Sequence, residues 1–127
     1  MNYATVIQAL KPLNELRKLK LPYIKAKEVY RISKLFEGEF AFFQQEENKL
    51  IGEYATKDDK GNPKTENGVI TFDSIEDKMK YLEEIKKLSD TEIDTELPRV
   101  VLTGDDIGEQ TVSPETLEKL ENIIIFE

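Results

Sequence analysis

Asp58, Asp59 and Asn62 gather oxygen donors around Gly61, a grouping that invites a calcium loop. Such a loop needs oxygen ligands at alternating positions, a central glycine and a late bidentate glutamate. Lys60 interrupts the alternation and no Glu stands where the loop would close, so the stretch reads as a helix-ending turn. Thr103-Gly104-Asp105-Asp106-Ile107-Gly108 imitates a phosphate loop, but it lacks the Lys and Ser/Thr that grip phosphate and carries two acids that repel it. Glu46-Glu47, Glu83-Glu84 and Asp105-Asp106 are paired carboxylates, yet each pair consists of sequence neighbours. Acid–base catalysis needs two carboxyls at a defined separation with their pKa values driven apart. Adjacent residues on a helix point in different directions, so these pairs read as solvated charge.

Two absences narrow the chemistry further. The chain contains no His and no Cys. That removes Ser-His-Asp and Cys-His relays, disulfides, and the common zinc and iron–sulfur ligand sets. No arrangement of nucleophile and base is visible, and the expectation is a protein that is not an enzyme and holds no cofactor and no metal.

What remains is binding. Lys27, Arg31 and Lys34 stand at steps of four and three, which places them along one helix face. A phosphate-tracking surface displaces counterions with such a face. Three cations are few for that purpose, and the neighbouring aromatics belong to an apolar stripe rather than to a base-stacking platform. A solvated face or a protein contact is therefore preferred over nucleic acid. In the cluster Phe40, Phe42, Phe43, the first and last share the apolar stripe, whereas Phe42 falls to its side, where a second helix or subunit can meet it. Lys27, Arg31, Lys34 and Phe42 are the candidate partner contacts.

Charge is divided along the chain. Residues 1–36 hold eight basic and two acidic side chains, a balance of +6; the other 91 residues hold ten basic and 24 acidic, a balance of −14. Such a split marks a partner surface or a basic segment that folds back on an acidic body. No stretch offers the roughly 20 apolar residues needed to cross a bilayer, and residues 1–20 do not have the order of a signal peptide. A cytoplasmic protein without membrane contact is expected.

The elements that must position these residues follow from periodicity. At 127 residues the chain has the size of one domain. Val6, Ala9, Leu10, Leu13 and Leu16 predict a first helix over 2–20, capped by Asn2 and strained by Pro12, which either kinks it or splits it. Leu21-Pro22 makes a corner. Val29, Phe36, Phe43 and Leu50 then recur every seven residues, with Ile32, Phe40 and Tyr54 between them, predicting a helix from about Pro22 to about Thr56. Such a helix is about 50 Å long, more than one small domain is expected to cover, so its stripe is expected to pair with another chain. A break near Gly38 is the alternative. After the breakers of 57–63, Asn67-Gly68 predicts a turn and 69–72 a strand. Asp73 with Glu76 predicts a helix start, and Ile75, Met79, Leu82, Ile85 and Leu88 mark one helical face through about Ser89. Residues 99–102 read as a second strand, 103–111 as a loop, Ser113-Pro114-Glu115 as a helix start, and 123–126 as a core or edge strand. The predicted fold is α+β and mainly α: a long helical hairpin over 2–57, then a small segment over 58–127 with short strands and two helices.

Arg31-Ile32-Ser33-Lys34-Leu35, Gln44-Gln45-Glu46-Glu47-Asn48-Lys49-Leu50, and Glu53-Tyr54 leading into Asp58-Asp59-Lys60-Gly61-Asn62-Pro63 form a recognisable series. With the short strand ending at Phe72, the acidic helix after it and the stretch from Ser113 to Phe126, this series resembles a group of small uncharacterised proteins of bacteriophages and prophages of low-GC bacteria. The resemblance extends from about Leu10 onward. It implies a phage origin and no defined activity, and no functional residue carries over. It directs the expectation to a protein-binding accessory or assembly protein that self-associates through its long helix. The alternatives are an inhibitor that occludes a host defence protein with its acidic two-thirds, and nucleic-acid binding by the basic hairpin.

Overall fold

A computed structural model describes all of residues 1–127. Helix α1 spans Tyr3–Arg17. Asn2 caps it, its Oδ1 accepting from the Thr5 amide and the Thr5 hydroxyl, each at 3.0 Å. Pro12 lies inside α1, buried, and the helix runs through it as one piece. Val6, Ala9, Leu13 and Leu16 form its fully buried line.

Helix α2 spans Tyr23–Tyr54, 32 residues without interruption at Gly38, and begins directly after Pro22. It returns antiparallel to α1. The Tyr3 ring sits 5.7 Å from that of Phe43 at one end of the pair, and Arg17 meets Glu37 at 3.0 Å nearer the other. The two helices form the predicted hairpin.

The expectation that the α2 stripe is left for another chain is corrected here. Val29, Ile32 and Phe36 are at most 1% exposed and Phe43 is buried, while Leu50 and Tyr54 are half-buried. The small domain covers so long a helix by sharing the work. A helix of fifteen residues reaches only part of α2, and later segments add to it: the strand of residues 100–102 near its start, where Lys25 meets Val101, and a third helix near its end, beside Glu47 and Tyr54.

The chain leaves α2 through a turn that uses its acid internally. Asp58 Oδ1 accepts from the Lys60 and Asn62 amides at 2.9 and 3.0 Å, with Gly61 at φ +82°. Strands β1 (Thr65–Glu66) and β2 (Val69–Ile70) pair antiparallel around Asn67 (φ 53°) and Gly68 (φ 79°), the two positive φ values of a tight hairpin.

Helix α3 spans Ile75–Asp90 and crosses the second half of α2. Its cap is Ser74, whose hydroxyl accepts from the Asp77 amide at 3.1 Å, not the predicted Asp73. Asp73 instead accepts from the Thr56 hydroxyl at 2.9 Å and ties the two ends of the excursion together. The single apolar face read on α3 is divided by the fold. Tyr81, Ile85 and Leu88 turn towards α2, whereas Ile75, Met79 and Leu82 remain exposed. The Phe72 ring, 5.3 Å from Tyr81, anchors this orientation.

Residues 91–99 run extended back past the start of the chain, where the Ile93 amide donates to the Met1 carbonyl at 2.8 Å. Strand β3 (Val100–Leu102) then pairs in parallel with β4 (Ile124–Phe126), Val100 opposite Ile124 and Leu102 opposite Phe126. Between them lie two helices. The four-residue α4 (Gly104–Ile107), within the predicted loop, is closed by a capping box of Thr103 and Asp106; α5 (Pro114–Leu120) is capped by Ser113 as predicted. Val100, Leu102, Leu120 and Ile124 join the inner faces of α1 and α2 in one core. No helix is long and apolar enough to cross a membrane.

Candidate functional site

With its inner stripe covered, α2 still presents an apolar flank to solvent. Tyr23, Ile24, Tyr30, Leu35 and Phe42 are all exposed, Ile24 and Phe42 at 67% and 49%. Helical periodicity explains the division. Ile24, Leu35 and Phe42 lie close to one line along the helix, offset from the buried line of Val29, Phe36 and Phe43. Phe42 is not loose: its ring stacks on Tyr3 at 6.3 Å with 26° between planes, leaving the opposite face open.

The basic residues surround Tyr30. Arg17, from α1, and Lys34, one turn further along α2, each place a cation 5.5 Å from the Tyr30 ring centroid. The Glu37 carboxylate takes both, at 3.0 Å from Arg17 and 3.0 Å from Lys34. The Lys34 hydrogen bond, with the Lys34 and Arg17 charges, holds the Glu37 carboxyl below its ordinary value. Lys27 and Arg31 are exposed and join no ion pair.

A shallow groove of about 630 Å³ runs beside this cluster, between α2 and the extended segment 96–98. Tyr30, Arg31, Lys34 and Leu35 form one wall; Glu96, Leu97 and Pro98 form the other. The structure thus brings together two of the four predicted contacts, Arg31 and Lys34. Lys27 lies a turn before them and Phe42 two turns beyond, on the same helix but outside the groove. Tyr30, Leu35 and the 96–98 wall were not predicted. Tyr30 had a signal, since it sits three residues after Lys27 and four before Lys34; the opposite wall had none, because only folding carries it there.

The remaining charged clusters are internally occupied. Lys87 pairs with Glu83 and Glu84, Lys49 with Glu46, and Lys119 with Glu115. A second cavity of about 440 Å³, between α1 and the start of α5, mixes Lys11, Lys18 and Lys119 with Glu15 and Glu115. No Asp and Glu side chains cluster in threes suited to a metal ion, and no buried side-chain polar atom lacks a hydrogen-bond partner. The arrangement offers apolar surface, cations and an aromatic ring, which is equipment for recognition. No known protein family, curated protein or solved structure matches the chain.

Proposed function

We propose that this chain is a non-enzymatic protein-binding protein, a phage accessory or assembly component of the host cytoplasm, which associates through the outer flank of its long helix. The inner stripe cannot serve, being buried, so self-association passes to the side of α2 that stays exposed. The observation that carries the reading is the apolar line Ile24, Leu35, Phe42 lying beside the Tyr30–Arg31–Lys34 groove. Aromatic and arginine side chains are enriched in protein contacts, and apolar residues ringed by charge are their usual layout. Light scattering across a concentration series tests it. Association that Leu35→Ser/Phe42→Ser weakens supports the reading; a mass that this double exchange leaves unchanged at tens of micromolar, with no partner retained on the immobilised chain, would sink it.

A second reading has its own support. In the extended segment after α3, Glu92, Asp94 and Glu96 face outward while Ile93, Thr95 and Leu97 turn inward. This comb of carboxylates, continued from Asp90, suits occlusion of a basic channel on a host defence protein. Such binding weakens with salt and with neutralisation of Asp90, Glu92, Asp94 and Glu96. The nucleic-acid reading is weaker, because Lys25, Arg17 and Lys34 are already engaged within the fold and only part of the basic set is free.

A further inference from the structure

Helix α3 turns one apolar line inward and leaves a second in solvent: Ile75, Met79 and Leu82 are 76%, 64% and 52% exposed. Steps of four and three between them are the spacing of alternating d and a positions in a coiled-coil seam. With the three placed at d, a and d, the flanking positions are set by helical geometry. One flank, e, holds Glu76, Glu83 and Asp90, all exposed. The opposite flank, g, holds the exposed Lys78 and the half-buried Ile85. No ion pair within the chain engages Lys78, and Glu83 is held only at 3.6 Å by Lys87, which sits closer to Glu84 at 3.3 Å.

We infer that α3 pairs in parallel with α3 of a second copy, burying Ile75, Met79 and Leu82 and joining Lys78 of each copy to Glu83 of the other. In a parallel two-stranded seam, a g residue meets the e residue five positions further on in its partner, which here is lysine against glutamate. An antiparallel pair sets like flank against like, and would press Glu76, Glu83 and Asp90 against the same three acids. The charges therefore admit one orientation and penalise the other. Lys86, at the following a position, ends the seam. So short a contact buries less than the roughly 1,200 Å² of a standard interface, and the dimer is weak and reversible. The contact is separate from the α2 flank, so Leu35→Ser/Phe42→Ser leaves it in place.

Because the chain has no Cys, Leu82→Cys introduces a single thiol at the seam. Under mild oxidation at high protein concentration it gives a disulfide-linked dimer, since d residues face each other across the two-fold axis, whereas Lys80→Cys, away from the seam, does not. In sedimentation equilibrium, Lys78→Glu or Glu83→Lys weakens the dimer about fivefold to tenfold, and the combined exchange returns it to within about twofold of the parent. Leu82→Cys keeps every charge and so tests the seam even where a charge exchange disturbs α3. The inference is overturned if Leu82→Cys crosslinks no faster than Lys80→Cys, or if the combined exchange dimerises no better than either single one. A strictly monomeric chain that binds anionic lipid vesicles through Met79 and Leu82 also overturns it, assigning the stripe to a membrane surface.

Discussion

Lys25 and Val101, 76 residues apart, are joined by a hydrogen bond of 2.7 Å from the lysine ammonium to the strand carbonyl. The contact lashes the first turns of α2 to β3, a strand that has a ladder partner on one side only. A lysine of the basic N-terminal segment is thus a structural donor.

Removing that donor leaves a half-buried carbonyl short of a partner. Lys25→Met is expected to lower stability by about 1–2 kcal/mol, since the acceptor loses a charge-assisted bond while the aliphatic stem is kept. Urea denaturation reads the change. A variant as stable as the parent would show that water replaces the ammonium without loss.

The two sides of α2 should respond oppositely to truncation. Phe36 is 1% exposed in the core, and Phe36→Ala is expected to cost about 3–5 kcal/mol. Phe42→Ala forfeits one exposed stacking contact and about 1 kcal/mol. Comparable losses at both positions, measured in the same denaturation series, would contradict the division of the helix into a buried stripe and a free flank.

Alkaline pH should destabilise the fold through its tyrosines. Burial pushes the phenols of Tyr3, Tyr54 and Tyr81 above their ordinary value of 10.0, reinforced by Glu39 at Tyr3, Glu53 at Tyr54 and Glu47 at Tyr81. The unfolded chain releases these protons near pH 10 while the folded chain retains them. Their contribution is therefore complete below pH 10 and is lost as pH rises through the folded values. Tyr81→Phe should soften the decline in denaturation midpoint above pH 10. Stability that stays level well beyond that pH would count against the packing of these rings.

At the acid end the sign reverses. Lys34 and Arg17 hold the Glu37 carboxyl below its ordinary 4.5, and Lys119 does the same for Glu115. Their stabilisation is present above pH 4.5 and disappears as pH falls through the depressed folded values. The thermal midpoint of Glu37→Gln should lie below the parent's at neutral pH and converge on it in acid. Both carboxylates are exposed, so the gap is small. A gap that widens on acidification would reverse the assigned roles.

The cap at Asn2 offers a local check. Asn2→Ala removes the acceptor of the Thr5 amide and hydroxyl and should cost about 1 kcal/mol, with Asn2→Asp recovering most of it. Equal stability of Ala and Asp variants would mean that the end of α1 frays in the folded protein.

Much of this architecture is written in short stretches of chain. The corner at Leu21-Pro22, the Asn67-Gly68 turn and the Ser113-Pro114 start depend on the φ preferences and side-chain oxygens of the residues that occupy them, and they appear where those preferences place them. The apolar arcs of α1 and α2 are equally local, since a period of 3.6 residues shows itself without reference to any neighbour. Tertiary packing had to choose what such arcs touch. Periodicity marks a greasy side of a helix but not the direction from which cover arrives, so it could not tell that α1 and β3 would join in burying Phe36 and that Tyr3 would pack on Phe43. On α3 two apolar lines compete, and docking of Tyr81 against Phe72 and α2 turned Ile85 and Leu88 inward and left Met79 and Leu82 outside. The groove at Arg31 likewise exists only because residues 96–98, more than sixty positions away, are carried against α2 by a core whose pairings no local stretch encodes.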